Sequence, residues 1–519
     1  MPSPLQGNGY VNRNKAMKRD RRKLTFNLVG AALLVVWLVM VGILVKKVHF
    51  REHPGTSGTS QFNEAALQPI ESAQREWKEI YLKGKKVGYV VNLIKPFDQG
   101  YLIQEEIFLR LNLMGMGSGV YVMTQSRVDA QFLLKSFEFG MTSGVVKYRV
   151  QGVVDSSGTL VITTGSGKEK RSQRIKLERP PMMGTGVSYY FRNRKLKVGE
   201  IFHMPLFDPS AMSQREIAIK VAARESVTIN RISYDTFRLE GEFWGKTMTF
   251  WVDQFGNTIK EEGFMGLTAI KSSAARAPRD LETGGDLDFY EMTSVGVSRR
   301  LPQTERLRYL KLRMEGIDPG APYAHNLNSG RQKYQDGILE IRKEKRPFKE
   351  PYRIPYVDPG DMKPFLREEF NIESDSEEII NKAREIVGKE KNPVFATMKI
   401  MDWVYENIEK KPVVSIPSAL EVLRTRVGDC NEHATLLTAL LRAAGIPARL
   451  SIGLVYTREK FFYHAWTEAY LGRWVTMDAT TNQMPADVTH IKLIEGNLDK
   501  QVEIAGLIGR LKLKILDYE

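Results

Sequence analysis

Cysteine is the scarcest feature of this 519-residue chain: there is one, Cys430. A single thiol excludes any disulfide framework within the chain, whatever the redox state around it, and leaves Cys430 free. Taken alone, a free cysteine is usually a small buried hydrophobe, so only its neighbours can promote it to a nucleophile. Neither His433 nor the thiol has partners at ligand spacing, so no metal site is expected, and nothing calls for a cofactor. Long apolar runs are equally scarce. Leu24 to Val45 is apolar apart from Thr25 and Asn27 and, as a helix, spans roughly 33 Å, enough for one bilayer crossing. No later stretch is apolar enough to cross again.

Arg13, Lys15, Lys18, Arg19, Arg21, Arg22 and Lys23 precede that run, and Lys46 and Lys47 follow it in place of a small-residue cleavage site. The expectation is an uncleaved anchor with a cytoplasmic N-terminus, a single-pass inner-membrane topology that puts the body of the chain on the periplasmic, extracytoplasmic side. The formal charge of +15 gathers in this tail and between Arg299 and Arg353, and neither cluster carries a nucleic-acid module. Nucleic acid is therefore not expected as a partner. A hydrophobic share of 42% beside 26% charged residues describes a globular chain, without internal repeats or low-complexity tracts.

Behind the membrane run, Pro54 to Ser60 forms a flexible spacer. Alternation then signals strands: Ile107, Leu109, Leu111 and Leu113 against Arg110 and Asn112, and Val146, Tyr148 and Val150 against Lys147 and Arg149. Turn clusters such as Asp155 to Gly158 separate them, so a curved antiparallel sheet packed on itself or around a helix is expected. Leu310, Leu312, Met314 and the run Ile338 to Ile341 predict a second, smaller β module, and Pro347, Pro351, Pro355, Pro359 and Pro364 an extended connector. Beyond it the period becomes helical. Ser374 and Glu377 have capping-box spacing, and Asn392-Pro393 starts a helix through Ile408. The fold class is α+β, and the chain divides into a basic tail (1–23), a transmembrane helix (24–45), a linker (46–74), an antiparallel β-rich domain (75–275), a small β module (285–345), a proline-rich connector (346–366) and a catalytic domain (370–500).

The chemistry gathers in the last of these. Gly428-Asp429-Cys430 opens a helix in which Asp429 and Glu432 can form a capping box, and Gly445 and Pro447 end it. Cys430 falls in the first turn, where free backbone N–H groups and the positive end of the helix favour a thiolate and could hold an oxyanion. The downstream strand offers His464, with Trp466 and Glu468 on the same face. If the connection to the next strand is the three-residue loop Tyr470-Leu471-Gly472, His464 falls opposite Asp478, which could fix its tautomer. A two-residue loop would put the two on opposite faces. His433, three residues along the helix from Cys430, competes as base. An intrahelical pair brings no third orienting group, and a surface polar contact suits it better. Trp466 and Trp474 suit a substrate tunnel or core packing equally.

Together, Gly428-Asp429-Cys430, the segment Arg442 to Arg449, His464-Ala465-Trp466-Thr467-Glu468 and the segment Trp474 to Thr480 resemble the transglutaminase-like superfamily, whose catalytic domain is similar to papain-type cysteine proteases. The resemblance covers about the last quarter of the chain, and Ala479 departs from the proline the family often has there. It implies a papain-like fold with Cys430 as nucleophile, His464 as base and Asp478 as the residue orienting that base. It also implies a thioester formed from a protein or peptide amide, cell-wall peptides included, and resolved by water or by an amine, making the chain a protease, a deamidase or an acyltransferase. The competing reading is a non-catalytic periplasmic binding or scaffold protein that keeps the fold.

Overall fold

The computed structural model describes residues 69–519 except 166–169, 193, 244–245, 282–287, 319, 321, 346–349, 358–359 and 497–501. The expected basic tail and transmembrane helix, with most of the linker, lie outside the described residues. Among those described, no helix is long and apolar enough to cross a membrane.

Strand alternation in the first half of the chain produces one sheet of fifteen strands. From Gln74–Leu82 the chain meanders outward through Val146–Val154 to Arg171–Lys176, then resumes at the opposite edge with Met182–Met183 and meanders back to Leu267–Ser272. That last strand pairs with the first, Trp77 opposite Ser272 and Ile80 opposite Ala269, and so joins the two meanders. Local rules are legible in the hairpins. In Val146–Val154 the residues Val146, Tyr148 and Val150 are buried while Lys147 and Arg149 are exposed. In the turn that follows, the Asp155 carboxylate accepts from the amides of Ser157 and Thr159 at 2.9 and 3.0 Å.

A sheet this long cannot stay flat, because strand twist accumulates. It curls so that Ile94, Ile103 and Val128 share a core with Phe202, Ile219 and Leu239. The short helix Val187–Tyr190 lies in that core and buries Tyr189 and Tyr190, with Phe191 beside them.

The smaller sheet has four strands in the order Gln332–Gln335, Ile338–Arg342, Tyr309–Glu315 and Lys512–Tyr518, so the last strand of the chain closes it. Its Leu310, Leu312, Leu339 and Ile341 belong to one continuous core with the helices of the C-terminal half. Those helices are Glu377–Val387, Pro393–Asn407, Ala419–Thr425 and Cys430–Ala443. Asn392 caps the second, accepting from Val394 N at 2.9 Å, with Pro393 at the first-turn position. The first begins differently from expectation. Ser376 is its N-cap and Glu377 its first residue, so Ser374 lies two residues before the cap and Glu377 two positions before the one that could close a box. The proline-bearing connector is strapped along this helical layer by Ile354 N to Lys391 O at 3.0 Å and Tyr356 N to Gly445 O at 2.9 Å.

The large sheet meets this half at several places, among them Ile416 and Phe370 packed against Phe137 and Tyr148, and one hairpin that leads to the cysteine helix. Leu111, Leu113 and Val120 pack with Phe289, Tyr290 and Val414, and Gly115 N donates to the Asp288 carboxylate at 2.7 Å. Asp288 caps the short helix Phe289–Thr293, whose Tyr290 lies beside the cysteine helix described next.

Candidate active site

The cysteine helix, Cys430–Ala443, starts as its sequence dictates. Asp429 is the N-cap, its carboxylate accepting from Asn431 N at 2.9 Å while Glu432 accepts from Asp429 N at 2.8 Å. Gly428 is required here by space: a Cβ on it would stand 2.2 Å from the Glu432 Cβ. Tyr290 adds a 2.6 Å hydrogen bond from its hydroxyl to the other Asp429 oxygen. Leu436, Leu437, Leu440 and Leu441 are fully buried, so the turn that presents Cys430 stands on a rigid element.

The histidine strand, Lys460–Tyr470, lies between Ala448–Thr457 and Trp474–Met477 in a four-stranded antiparallel sheet. One face of it meets the cysteine helix, where Thr467 Oγ1 donates to Ala434 O at 3.1 Å. The short neighbour stops at the pair Thr467–Met477. Beyond that stop, the backbone N–H of Ala465 faces the sulfur of Cys430 and works to lower its pKa. The sulfur therefore sits at the strand position adjoining His464.

The hairpin after the strand corrects the expected register. Tyr470 pairs with Trp474, so the loop is Leu471 to Arg473, one residue later than anticipated, with Gly472 at φ +79°. The shift of two in the pairing preserves side-chain parity, and Asp478 stays on the His464 face. His464 Nε2 meets Asp478 Oδ2 at 3.0 Å diagonally rather than directly across. The three residues singled out from sequence are thus brought into one neighbourhood, the imidazole bonded to the carboxylate and the sulfur facing the backbone amide next to the imidazole.

A fourth group was not anticipated. His490 is fully buried, its Nε2 3.2 Å from the same Asp478 Oδ2 and its Nδ1 3.3 Å from Asp487 Oδ1. Carboxylates only accept, so two such contacts require both ring nitrogens to carry hydrogen, and His490 is an imidazolium between two acids. Burial works against that charge, but Asp478 and Asp487 outweigh it and hold the His490 pKa above the ordinary histidine value. The reciprocal holds for Asp478: burial opposes ionisation, yet His464 and His490 keep it well below the usual carboxylate range. Asp487, likewise resisted by burial, is held down chiefly by His490 and Thr489. The only sequence signal for His490 was its place in Asp487-Val488-Thr489-His490, an acid three residues before a histidine.

His464, Asp478 and His490 also form, among the described residues, a group whose ligand atoms lie within 4.8 Å of one another, close enough to hold a cation. The expectation of no metal had weighed only His433 and the thiol. The shared oxygen already accepts from His464, His490 and, at 2.8 Å, Thr481 Oγ1. A cation would have to displace those three bonds from one atom.

Two electrostatic expectations change. Cys430 keeps part of its surface exposed, yet burial first, then Asp429, Glu432 and Asp478, push its thiol well above the ordinary cysteine range, against the lowering by Ala465 N–H. The helix start alone therefore does not supply a thiolate, because three acids surround it. Glu432 is itself pushed well up by burial and by Asp429. His433 is not a surface contact: it is fully buried, its Nδ1 bonds Asp429 O at 2.7 Å, and burial lowers its pKa. The helix is enclosed on that side too, which the leucine stripe alone did not reveal.

Behind the imidazole lies a cavity of about 450 Å³ bordered by Trp466, Trp474, Glu468, Arg449, Lys492 and His490. Both tryptophans line it, Trp466 stacked toward His464 with ring centroids 6.2 Å apart and Trp474 under the Arg449 guanidinium at 4.1 Å. Burial pushes Glu468 up, but Lys492 at 2.9 Å and Arg449 at 2.8 Å outweigh it and hold the carboxylate below its usual range.

Compared with known proteins, residues 380–479, which include Cys430, His464 and Asp478, match the family described as the Transglutaminase-like superfamily. No curated protein matches the chain. Among solved structures, a candidate cysteine protease from Cytophaga hutchinsonii is 21% identical over 41% of this chain and 87% of its own, with a TM-score of 0.29. A β-barrel-like protein of a domain of unknown function from Brucella abortus is 14% identical over 39% of this chain and 97% of its own, TM-score 0.30. A candidate protease from Parabacteroides distasonis is 12% identical over 72% and 69%, TM-score 0.19.

Proposed function

We propose that this chain, which carries a transglutaminase-like domain at residues 380–479, is a membrane-anchored, extracytoplasmic cysteine enzyme of papain-like design that acts on protein or peptide amides through a thioester on Cys430. The observation that carries the reading is the 3.0 Å bond between His464 Nε2 and Asp478 Oδ2, on the strand whose Ala465 N–H faces the Cys430 sulfur.

The roles follow from charge and geometry. A thiol held protonated by burial and acids needs a base in place, and His464, with Nε2 committed to Asp478, has Nδ1 for that proton. The sulfur attacks the amide carbonyl carbon as its proton passes to His464. The resulting oxyanion meets the N–H groups at the helix start. Collapse breaks the C–N bond, and the imidazolium returns the proton to the leaving amine, leaving a thioester. Water or a second amine then attacks the thioester carbonyl, giving its proton to His464, and the thiol is released as the base is restored. Asp478 stabilises the transient imidazolium, which His490 alone could not do since it carries charge of the same sign.

The reading is tested by iodoacetamide labelling of the folded full chain together with mass spectrometry of extracytoplasmic proteins from cells carrying Cys430 or Cys430→Ala. Labelling of Cys430 near pH 7 that falls when His464 is replaced by Ala, with isopeptides, deamidation or cleavage lost in the Cys430→Ala cells, is the expected result. A thiol that reacts only after denaturation sinks it.

A further inference from the structure

Inside the curled sheet, far along the chain from the cysteine, two cavities adjoin. One of about 450 Å³ is lined by Ile107, Val122, Phe139, Phe207, Phe243 and Met248, among others. The second, of about 250 Å³, shares Glu105, Thr185, Leu206, Phe243 and Met248 with it and ends at Lys78, Asn92 and Glu261. Packed cores leave few voids larger than a water molecule, and functional pockets occupy roughly 300–1,000 Å³. Nor is the space sealed: Ile107, Val122, Phe243 and Met248 are only partly buried although they line it.

The polar end is incomplete. Asn92 is 8% exposed, and its side-chain oxygen has no hydrogen-bond partner among the described residues. The same is true of the Thr185 hydroxyl. Lys78, buried in an ion pair with Glu261, offers no spare cation. Burial first, offset by Lys78 and reinforced by Glu261, pushes the Glu105 carboxyl up to about 7. Two acids and one committed lysine thus surround unmet acceptors at one end of an apolar chamber. Buried polar atoms without partners are destabilising unless something supplies the missing bond.

We propose that the curled sheet is a binding site for a single-chain amphiphile with a hydrogen-bond-donating head, a primary amine being the best match. The chain lies along Ile107, Val122, Phe139 and Phe243, and the head reaches Asn92, Glu105 and Thr185. An ammonium donates three hydrogens, which these three acceptors can take, and its charge offsets the excess of acid beside Lys78. A carboxylate head would instead place its own charge beside the acids Glu105 and Glu261. The proposal is independent of the Cys430 chemistry.

The test uses the full chain and a dodecylamine analogue carrying a diazirine in its alkyl tail, applied below its micellar concentration, with the photolabelled residues mapped by mass spectrometry. Expected are labels on the chamber strands, competition by dodecylamine at least tenfold better than by dodecanoate, and loss of those labels in Val122→Trp. Glu105→Gln, close in shape and so a control for folding, is expected to weaken competition by dodecylamine about tenfold and by dodecanol less than twofold. Labels scattered over the surface, equal competition by the carboxylate, or a Glu105→Gln effect equal for amine and alcohol each overturns the proposal.

Discussion

The acids around His464 and the polar end of the chamber in the curled sheet differ in how fully they are hydrogen-bonded, although Trp466 Nε1 and His433 Nε2 in the C-terminal site are buried without partners among the described residues too. Around His464 each acid is saturated: Asp478 Oδ2 takes three side-chain donors, Asp487 is bonded by Thr489 and His490, and Glu468 by Lys492 and Arg449. In the sheet, Asn92 and Thr185 stand without partners beside apolar side chains that are only partly covered. A saturated network fixes geometry, which a bond-making site needs before its substrate arrives. An unsaturated, roomy one suits reception, since a ligand can contribute what the protein omits. On the two proposed readings one chain separates chemistry from capture, and the contrast can be attacked from either side.

The harshest attack is on the catalytic pair. Cys430→Ala is expected to abolish any acyl-enzyme adduct, and His464→Ala to slow iodoacetamide labelling of Cys430 at pH 7 by on the order of 10²–10⁴-fold. Because burial, Asp429, Glu432 and Asp478 hold the thiol up, labelling in His464→Ala should recover only on the alkaline side of the ordinary cysteine range. Labelling rates against pH check both. If the two proteins share one profile, the imidazole is not the base.

Asp478→Asn comes next, and it strikes stability as well as chemistry. The acid is the partner of two imidazoles and is 1% exposed, so its loss leaves a buried cation with one acid fewer. Removal of one member of a buried pair destabilises by about 3–5 kcal/mol. With its native pKa depressed, the stability Asp478 contributes is present above the unfolded carboxylate value and lost as pH falls through the folded one. Wild type should therefore lose stability below about pH 4, and the variant should show a shallower acid limb in denaturant titrations. At smaller scale, Gly428→Ala should cost about 1–3 kcal/mol, because a methyl placed 2.2 Å from the Glu432 Cβ forces the capping box apart. The same melt on Gly296→Ala, where added bulk meets nothing, should show less than 0.5 kcal/mol.

These effects also mark what the sequence disclosed. Asp429-Cys430-Asn431-Glu432 announces its own capping box because the partners are three residues apart, and local spacing survives folding. Strand alternation likewise announces the meander in Val146–Val154. Register is a different matter. Whether the loop is Tyr470–Gly472 or Leu471–Arg473 depends on how Gly472 and the connector pack, and a Cβ on Gly472 would stand 2.9 Å from Pro351, some 120 residues away in sequence. His490 escaped notice for the same reason. Its partners Asp478 and Asp487 are assembled by the turn that bridges Asp478 to Gln483, and no periodic pattern marks such a loop. The chamber was hidden because alternation tells which residues face inward without telling whether the interior is filled.

The finest test of the saturated network is His490→Gln. Its cation lies against Asp478 and Asp487, with the His464 and Trp466 rings 5.7 and 5.3 Å away. Removing that side chain leaves Asp478 Oδ2 with His464 and Thr481 as its side-chain donors. With one of its three donors gone, the carboxylate holds the His464 ring less firmly, and Cys430 labelling at pH 7 should slow by roughly 3–10-fold. Stability should change in a defined pH window. His490 has a raised folded pKa, so its contribution is complete below the unfolded histidine value and is lost as pH rises through the folded one. The variant should therefore lose stability relative to wild type in acid and approach it in alkali. A labelling rate unchanged in a variant that does lose stability in acid would make His490 packing alone, and the distinction between a tuned site and a merely filled one would collapse at that residue.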